Sequence, residues 1–268
     1  MPIPYMLSLY VSRMGLAPAY AINPDVTHLA ASTMKVAVLD ALYRSRMALD
    51  TSVPVHNSFA SVLLGLRFSN DPKYDSDPEP WQRIGGTATL RWLAGRMITH
   101  SSNLATNLCL EAVGLSAVRE VWRLAGAEHS VTDRGIEDYA ADAAGIRNLT
   151  TAADLARLLC RLPPELIDVL AANVYRVDLA AGLPPETRIA FKNGWFPGLR
   201  HSAGIVYPDD APPYVLAICY SGTLANGHAS DDLAARLLAR VSAWFWAARQ
   251  RLGAPLVETP EFGLGDRD

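Results

Sequence analysis

The stretch Ala30-Ala31-Ser32-Thr33-Met34-Lys35-Val36-Ala37-Val38-Leu39 decides how the rest of the chain is read. It is an apolar run with no turn residue inside, continued by Asp40-Ala41-Leu42-Tyr43-Arg44. That pattern predicts a buried helix reaching about residue 47, with Ser32 at its N-terminal edge. Serine is a good helix-capping type, and Lys35 follows within one turn. A lysine is costly to bury charged, so burial should lower its pKa toward a neutral amine that can accept a proton. A hydroxyl beside such an amine is an activated nucleophile. Among the 24 Lys and Arg residues, Lys occurs only at 35, 73 and 192. Arginine cannot serve as a base near neutral pH and lysine can, so lysine at position 35 is a chemical choice.

Outward from this stretch, the bulk properties set limits. The 268 residues are 50% hydrophobic and 19% charged, enough apolar material for a sizeable core. A net charge of -3 without a long block of one sign argues against nucleic acid as a partner. Cys109, Cys160 and Cys219 are widely spaced in apolar segments and read as buried small hydrophobes. The six histidines lack metal-ligand spacing, so neither a metal nor another cofactor is expected. Met1-Pro2-Ile3-Pro4-Tyr5 is not a basic stretch leading into a long apolar run, and no segment reaches membrane-spanning length. The expectation is a cytoplasmic protein without a membrane partner.

In chain order, 6–14 and 18–22 read as a strand and its hairpin partner. The helix of Ser32 follows, then a connector at 50–56 and a possible short helix at 58–68. Asn70-Asp71-Pro72-Lys73-Tyr74-Asp75-Ser76-Asp77-Pro78-Glu79-Pro80 is a polar, Pro-rich loop, read as a solvated excursion rather than a substrate-facing one. Helices are predicted at 87–99, 104–113, 116–125, 152–162 and 164–174, with a long loop at 133–148. Strands follow at 188–192, 202–207 and 214–220. Ser230-Asp231-Asp232 would cap a last helix through Arg249, and 253–268 would be a loose tail. Strands, many helices, then strands and a helix describe an α+β fold, an antiparallel sheet made by both chain ends with a helical lobe inserted. We therefore expect one domain over 1–252, with a sheet part (1–30 and 181–252) and a helical part (31–180).

Two further short elements stand out. Ser101-Ser102-Asn103 sits at a break between helices, where it sets a hydroxyl and an amide on one corner. Lys192-Asn193-Gly194 ends a predicted strand, where glycine lets a substrate approach the backbone. In this order, the three motifs resemble those of the class A β-lactamase and penicillin-binding-protein superfamily. The resemblance extends to 97–107 around the second motif, to Thr132-Asp133-Arg134 and Leu149-Thr150-Thr151 at the ends of an Ω-like loop, and to Ala181-Gly182-Leu183-Pro184 before the third. It implies a serine hydrolase working through a covalent acyl-enzyme on a small amide, ester or β-lactam. Ser32 would be the nucleophile and Lys35 its base. Ser101 would relay a proton to the leaving group, and Asn103 would bind the substrate amide and hold Lys35. Lys192 would add positive charge near Ser101 and a substrate carboxylate. The N–H groups of Ser32 and Trp195 would form the oxyanion hole, beside Gly194.

The chain also departs from the family pattern. Ser102 stands where Asp is usual. Asn193 replaces Thr or Ser; it still offers hydrogen bonds for binding a substrate, but the small hydroxyl that helps bind a β-lactam carboxylate is gone. The loop pattern of the family puts Glu two residues after Arg, and Asn four further on, to position a deacylating water. Here Ile136 and Ala140 fall at those places, with Glu137 and Asp138 next door, and Leu149 replaces the Asp that would clasp Arg134. Glu137 is then either a re-registered deacylation base or an ordinary loop carboxylate. Trp195 and Phe196 would crowd or stack on a substrate, and His201 reads as a satisfied structural histidine. Alternatives to the hydrolase are a sensor that acylates without turnover, and an acyltransferase or cyclase using the same Ser–Lys machinery.

Overall fold

The computed structural model describes residues 5–228 and 232–256. Its organising unit is one antiparallel five-stranded sheet. β1 (Met6–Arg13) and β2 (Tyr20–Ile22) come from the start of the chain. The short β3 (His28–Leu29) follows and pairs with β8 (Leu149–Thr150) at the far end of the helical lobe's long loop, and β9 (Arg188–Phe196), β10 (Leu199–Tyr207) and β11 (Tyr214–Ser221) come from the end of the chain. The spatial order is β2-β1-β11-β10-β9, with Leu9 opposite Ile218 and Ala203 opposite Lys192. β9 is thus an edge strand.

The period-2 alternation of these strands sorts side chains between two cores. Val215, Ala217 and Cys219 face the helical lobe, while Leu216, Ile218 and Tyr220 pack on the opposite core with Leu237, Val241 and Phe245. The last three belong to α8 (Leu233–Ala247), whose N-cap Asp232 accepts from the N–H of Ala235. Ser230 and Asp231, expected to share that cap, lie outside the described residues, as do 257–268 of the expected tail. Its start is anchored, since the N–H of Leu256 donates to Ala19 O at 2.9 Å.

The lobe contains α1 (Lys35–Arg44), α2 (Leu90–Thr99), α3 (Asn103–Val113), α4 (Leu115–Ala125), the short α5 (Tyr139–Ala143), α6 (Ala152–Leu159) and α7 (Pro164–Ala171). α1 is buried all round, from Lys35 through Leu42, as expected of a helix at the middle of a lobe. Its Val and Leu side chains each contribute about 1.5–3 kcal/mol of apolar burial.

Three sequence expectations need correction. Residues 58–68 do not form a helix. They make a hairpin of β5 (Phe59–Ala60) and β6 (Arg67–Phe68), after β4 (Ser52–Pro54), which pairs with β7 (Thr87–Thr89). Gly65 at φ +80° turns the chain there, and Leu64 at the tip is fully exposed. Helix α2 starts three residues later than expected because Thr89, not Thr87, caps it. Strand β9 runs on to Phe196, so Lys192-Asn193-Gly194 lies inside a strand rather than at its end. Among the described residues, no helix is long and apolar enough to cross a membrane.

Candidate active site

Ser32 lies in a 3-10 turn, Ala31–Met34, that feeds directly into α1 at Lys35. It does not cap the helix as its residue type suggested, since no side chain caps either element. Ala31, just before it, is held at φ +43°, a conformation L-residues rarely adopt. Edge strand β9 packs against this turn. A Cβ on Gly194 would meet the Ser32 nitrogen at 2.9 Å and the Thr33 nitrogen at 3.1 Å, so only glycine admits this approach.

Lys35 is fully buried and donates to Ser101 O at 2.7 Å, Asn103 Oδ1 at 2.9 Å and, more weakly, Ser101 Oγ at 3.4 Å. Burial pushes its pKa down to about 8, against the opposing pull of the nearby Asp75 and Glu137 carboxylates. Lys192, equally buried, reaches the same hydroxyl from β9, donating to Ser101 Oγ and to Asn193 O, each at 3.0 Å. Its pKa is also lowered, by burial first and by the Lys35 charge second, while Asp178 opposes the fall. Two amines therefore converge on one hydroxyl from α1 and β9. Ser101 sits between α2 and α3 at φ +57°, strained as residues at functional sites often are.

The long loop brings Glu137 to this cluster. Its carboxylate accepts from Asn103 Nδ2 at 3.1 Å and from the Asp71 N–H at 2.7 Å. Asn103 therefore spans the site, with Oδ1 toward Lys35 and Nδ2 toward Glu137. Ile136, at the aligned position, turns away. Asn107 Oδ1 holds its N–H at 2.8 Å, Asn107 Nδ2 donates to its carbonyl at 2.9 Å, and its side chain packs on the lobe core. Glu137 at φ +68° makes the turn that re-aims the next side chain. Burial raises the Glu137 pKa, partly offset by its hydrogen bonds from Asp71, Asn70 and Asn103. The missing Arg–Asp clasp is replaced twice over. Arg134 pairs within the loop with Asp142 at 3.0 Å, and Asn148 Oδ1 accepts from the N–H groups of Asp133 and Arg134 at 2.9 and 3.1 Å.

The loop at 70–80 is exposed at Pro72, Lys73, Tyr74, Ser76, Pro78 and Glu79, as a solvated excursion would be, but it is pinned to the lobe by its buried residues. Asp77 is fully buried against the Arg96 guanidinium, and Asn70 is buried as well. Asp75 Oδ2 accepts from Asn103 N at 3.0 Å, Leu104 N at 2.9 Å, Ser102 Oγ at 3.2 Å and Trp81 Nε1 at 3.0 Å. It supplies, from a distant loop, a carboxylate at the second motif that Ser102 itself lacks. Ser102 Oγ meanwhile caps α3, accepting from Ala105 N. Sequence reasoning missed Asp75. A helix starting on Ser-Asn with no acid in its first turn was the available signal.

The third motif divides by strand parity. Lys192 and Gly194 share the lobe-facing side with Ala190, while Asn193 and Trp195 share the other side with Phe191. Asn193, expected to bind substrate, has its amide engaged internally. Its Oδ1 accepts from Asn173 Nδ2 at 2.9 Å, and its Nδ2 donates to Asp178 Oδ2 at 2.6 Å. Trp195 meets Tyr175 edge-on, with ring centroids 5.5 Å apart, and Phe196 is exposed. His201 is fully buried, with Nε2 at 2.8 Å from Leu29 O and Nδ1 accepting from Tyr220 N at 3.2 Å, as a structural histidine would be.

A sheet built from both chain ends, with a helical lobe packed against it, is the architecture of the class A β-lactamases and their penicillin-binding relatives. Known structures bear this out. PBP-A superposes with a TM-score of 0.72 at 22% identity, covering 91% of both chains. A β-lactamase from Desulfarculus baarsii gives 0.70 at 23% identity, covering 90% of this chain and 91% of its own. A β-lactamase of Bacillus licheniformis is 24% identical over 243 residues, 85% of this chain and 76% of its own. The family model described as "Beta-lactamase enzyme family" matches residues 6–247, so the chain belongs to that family of hydrolases.

Proposed function

We propose that the protein is a serine hydrolase that opens an amide or ester through an acyl-enzyme on Ser32. The observation that carries this reading is the convergence of Lys35 and Lys192 on Ser101 Oγ, with Asn103 bridging Lys35 to Glu137. Neutral Lys35 takes the Ser32 proton as Oγ attacks the acyl carbon. The N–H groups of Ser32 and Trp195 receive the developing oxyanion, and Gly194 allows the approach. Since β9 is an edge strand, alternate N–H groups along it point away from β10. Ser101 then passes a proton to the leaving nitrogen or oxygen and regains one from the lysine pair.

Deacylation falls to Glu137. A buried carboxylate of raised pKa, facing the same asparagine as the general base of acylation, can take a proton from water attacking the acyl carbon. This favours turnover over permanent acylation, the sensor alternative. β-Lactams are one candidate substrate class, as the names of the relatives suggest, and simpler esters are another.

The test is a fluorophosphonate label followed by intact-mass measurement. Label should appear on the wild type and vanish in Ser32→Ala. With an activated aryl ester, Glu137→Gln should still release a burst of phenol and then hold the acyl group as a stable mass adduct. Unlabelled wild type, or a Glu137→Gln enzyme that turns over at the full rate, would overturn the respective step.

A further inference from the structure

Resting on the acyl-enzyme reading above, the resemblance to the family leads one to expect a substrate carboxylate beside Lys192 and Asn193. The groups that could receive it are all engaged within the protein. Both polar atoms of the Asn193 amide are held, by Asn173 and by Asp178. A guanidinium beside it is that of Arg200, opposite Trp195 in the β9–β10 register. It is completely buried, donating from Nε to Asp178 Oδ1 at 2.5 Å and from Nη1 to Asp232 Oδ2 at 3.0 Å and His228 O at 2.6 Å. Asp178, itself fully buried, thus holds Asn193 and Arg200 at once, and its charge also acts on Lys192. Where an anion would find free donors, the protein has installed its own carboxylate. Next to Gly194 the strand carries aromatic rings, with Trp195 half-buried in an edge contact with Tyr175 and the Arg200 guanidinium 5.1 Å from its ring centroid.

We propose that Asp178 is a specificity-determining residue that locks Asn193 and Arg200, so that the cleft selects acyl donors whose leaving group carries no carboxylate next to the scissile bond. A buried acid near the binding position repels a substrate carboxylate and leaves it without a donor, whereas an uncharged, flat group stacks on Trp195 and Tyr175. The class that fits is neutral aryl or alkyl esters and amides. Penicillins, which carry a carboxylate in that position, fit poorly.

The experiment uses two phenylacetate esters with the same acyl group. In one the leaving phenol carries a meta carboxylate, and in the other that carboxylate is a methyl ester. In both, the Ser32 Oγ–acyl bond forms and the acyl–O(phenol) bond breaks, with the phenol taking the proton. Each kcat/KM is divided by the hydroxide-catalysed rate of the same ester, which removes intrinsic reactivity. Wild type should favour the neutral ester by roughly tenfold or more. Asp178→Asn should cut that preference at least several-fold, because it removes the opposing charge while keeping an amide that can still meet Asn193 and Arg200. Equal or better use of the carboxylate ester by wild type overturns the proposal, whatever the variant's stability. So does a folded Asp178→Asn with an unchanged preference, and so does failure to cleave either ester while a fluorophosphonate still labels Ser32. Absence of that label as well would instead bring down the acyl-enzyme reading beneath it.

Discussion

Replacing Asp75 with alanine strips one carboxylate oxygen from four donors at once, namely Asn103 N, Leu104 N, Ser102 Oγ and Trp81 Nε1. Two of these are the first N–H groups of α3, which have no intrahelical partner. Hydrogen bonds to a charged acceptor contribute about 1.5–3 kcal/mol each, but Asp75 is only half-buried and water can replace part of that. Taking about 1 kcal/mol for each of the three N–H donors gives a loss near 3 kcal/mol. For a chain of this length that lowers Tm by roughly 6 °C. Asp75→Asn should lose less stability, since one acceptor oxygen survives, yet it should lower activity by loosening Asn103. The decisive arm is the swap. Ser102→Asp alone sets two carboxylates against each other and should destabilise, whereas Ser102→Asp in the Asp75→Asn background restores one carboxylate at the same helix end. A double-mutant cycle in thermal unfolding should then give a favourable coupling of about 1 kcal/mol or more. Additive effects, or an Asp75→Ala protein with unchanged Tm and ester turnover, would refute the assignment of this carboxylate to the second motif.

Three further outcomes follow from the same geometry. Lys35, lowered to about 8, must be neutral to act as base, so acylation should rise with pH through a midpoint near 8. Since Asp75 raises that value, the midpoint should move down in Asp75→Asn, and a pH–rate profile of burst kinetics measures both. The linked effect on stability has a definite sign. The folded pKa lies below the unfolded one, so between about 8 and the ordinary lysine value the unfolded chain holds the extra proton. This group's contribution therefore improves with rising pH across that window. Finally, Gly194→Ala would put a methyl 2.9 Å from the Ser32 nitrogen. The turn or the strand must shift, so kcat/KM for an aryl ester should fall on the order of a hundredfold, and overpacking of about 1–3 kcal/mol should lower Tm by roughly 2–6 °C. Full activity in this variant would remove β9 from the reacting centre.

The parts of the site that were legible in the sequence are those where chemistry and local pattern coincide. Ser32 and Lys35 could be read because a lysine inside an uninterrupted apolar run can only be a buried amine, and α1 is indeed buried all round. The three motifs could be ordered along the chain because each sits at an element boundary or on a strand. What stayed hidden depends on contacts between distant segments. Asp75 reads as one acid in a polar, Pro-rich loop, and only the packing of that loop on α3 gives its carboxylate a task. Glu137 was ambiguous because alignment counts residues, whereas a single left-handed φ decides which neighbour faces Asn103. Asn193 looked available because its residue type offers donors, but strand parity turns it away from Lys192 and toward Asp178. The hairpin at 58–68 was mistaken for a helix because Val62, Leu63, Leu64 and Leu66 mimic an apolar face. Gly65 in their midst was the contrary sign.

The pairing of β1 with β11 also bears on how the molecule is made. Met6 lies beside Ser221 in the finished sheet, so the first strand leaves the ribosome long before its main partner exists. Until then it has only the three-residue β2 beside it, and one whole flank of backbone donors and acceptors stays open. The lobe, contiguous in sequence, can collapse early, while the sheet and the strand carrying Gly194 must wait until residues 188–221 have been made. Stalled or truncated chains would therefore present an unpaired β1 as a sticky template, and a shield over that strand during synthesis would raise the yield of native protein.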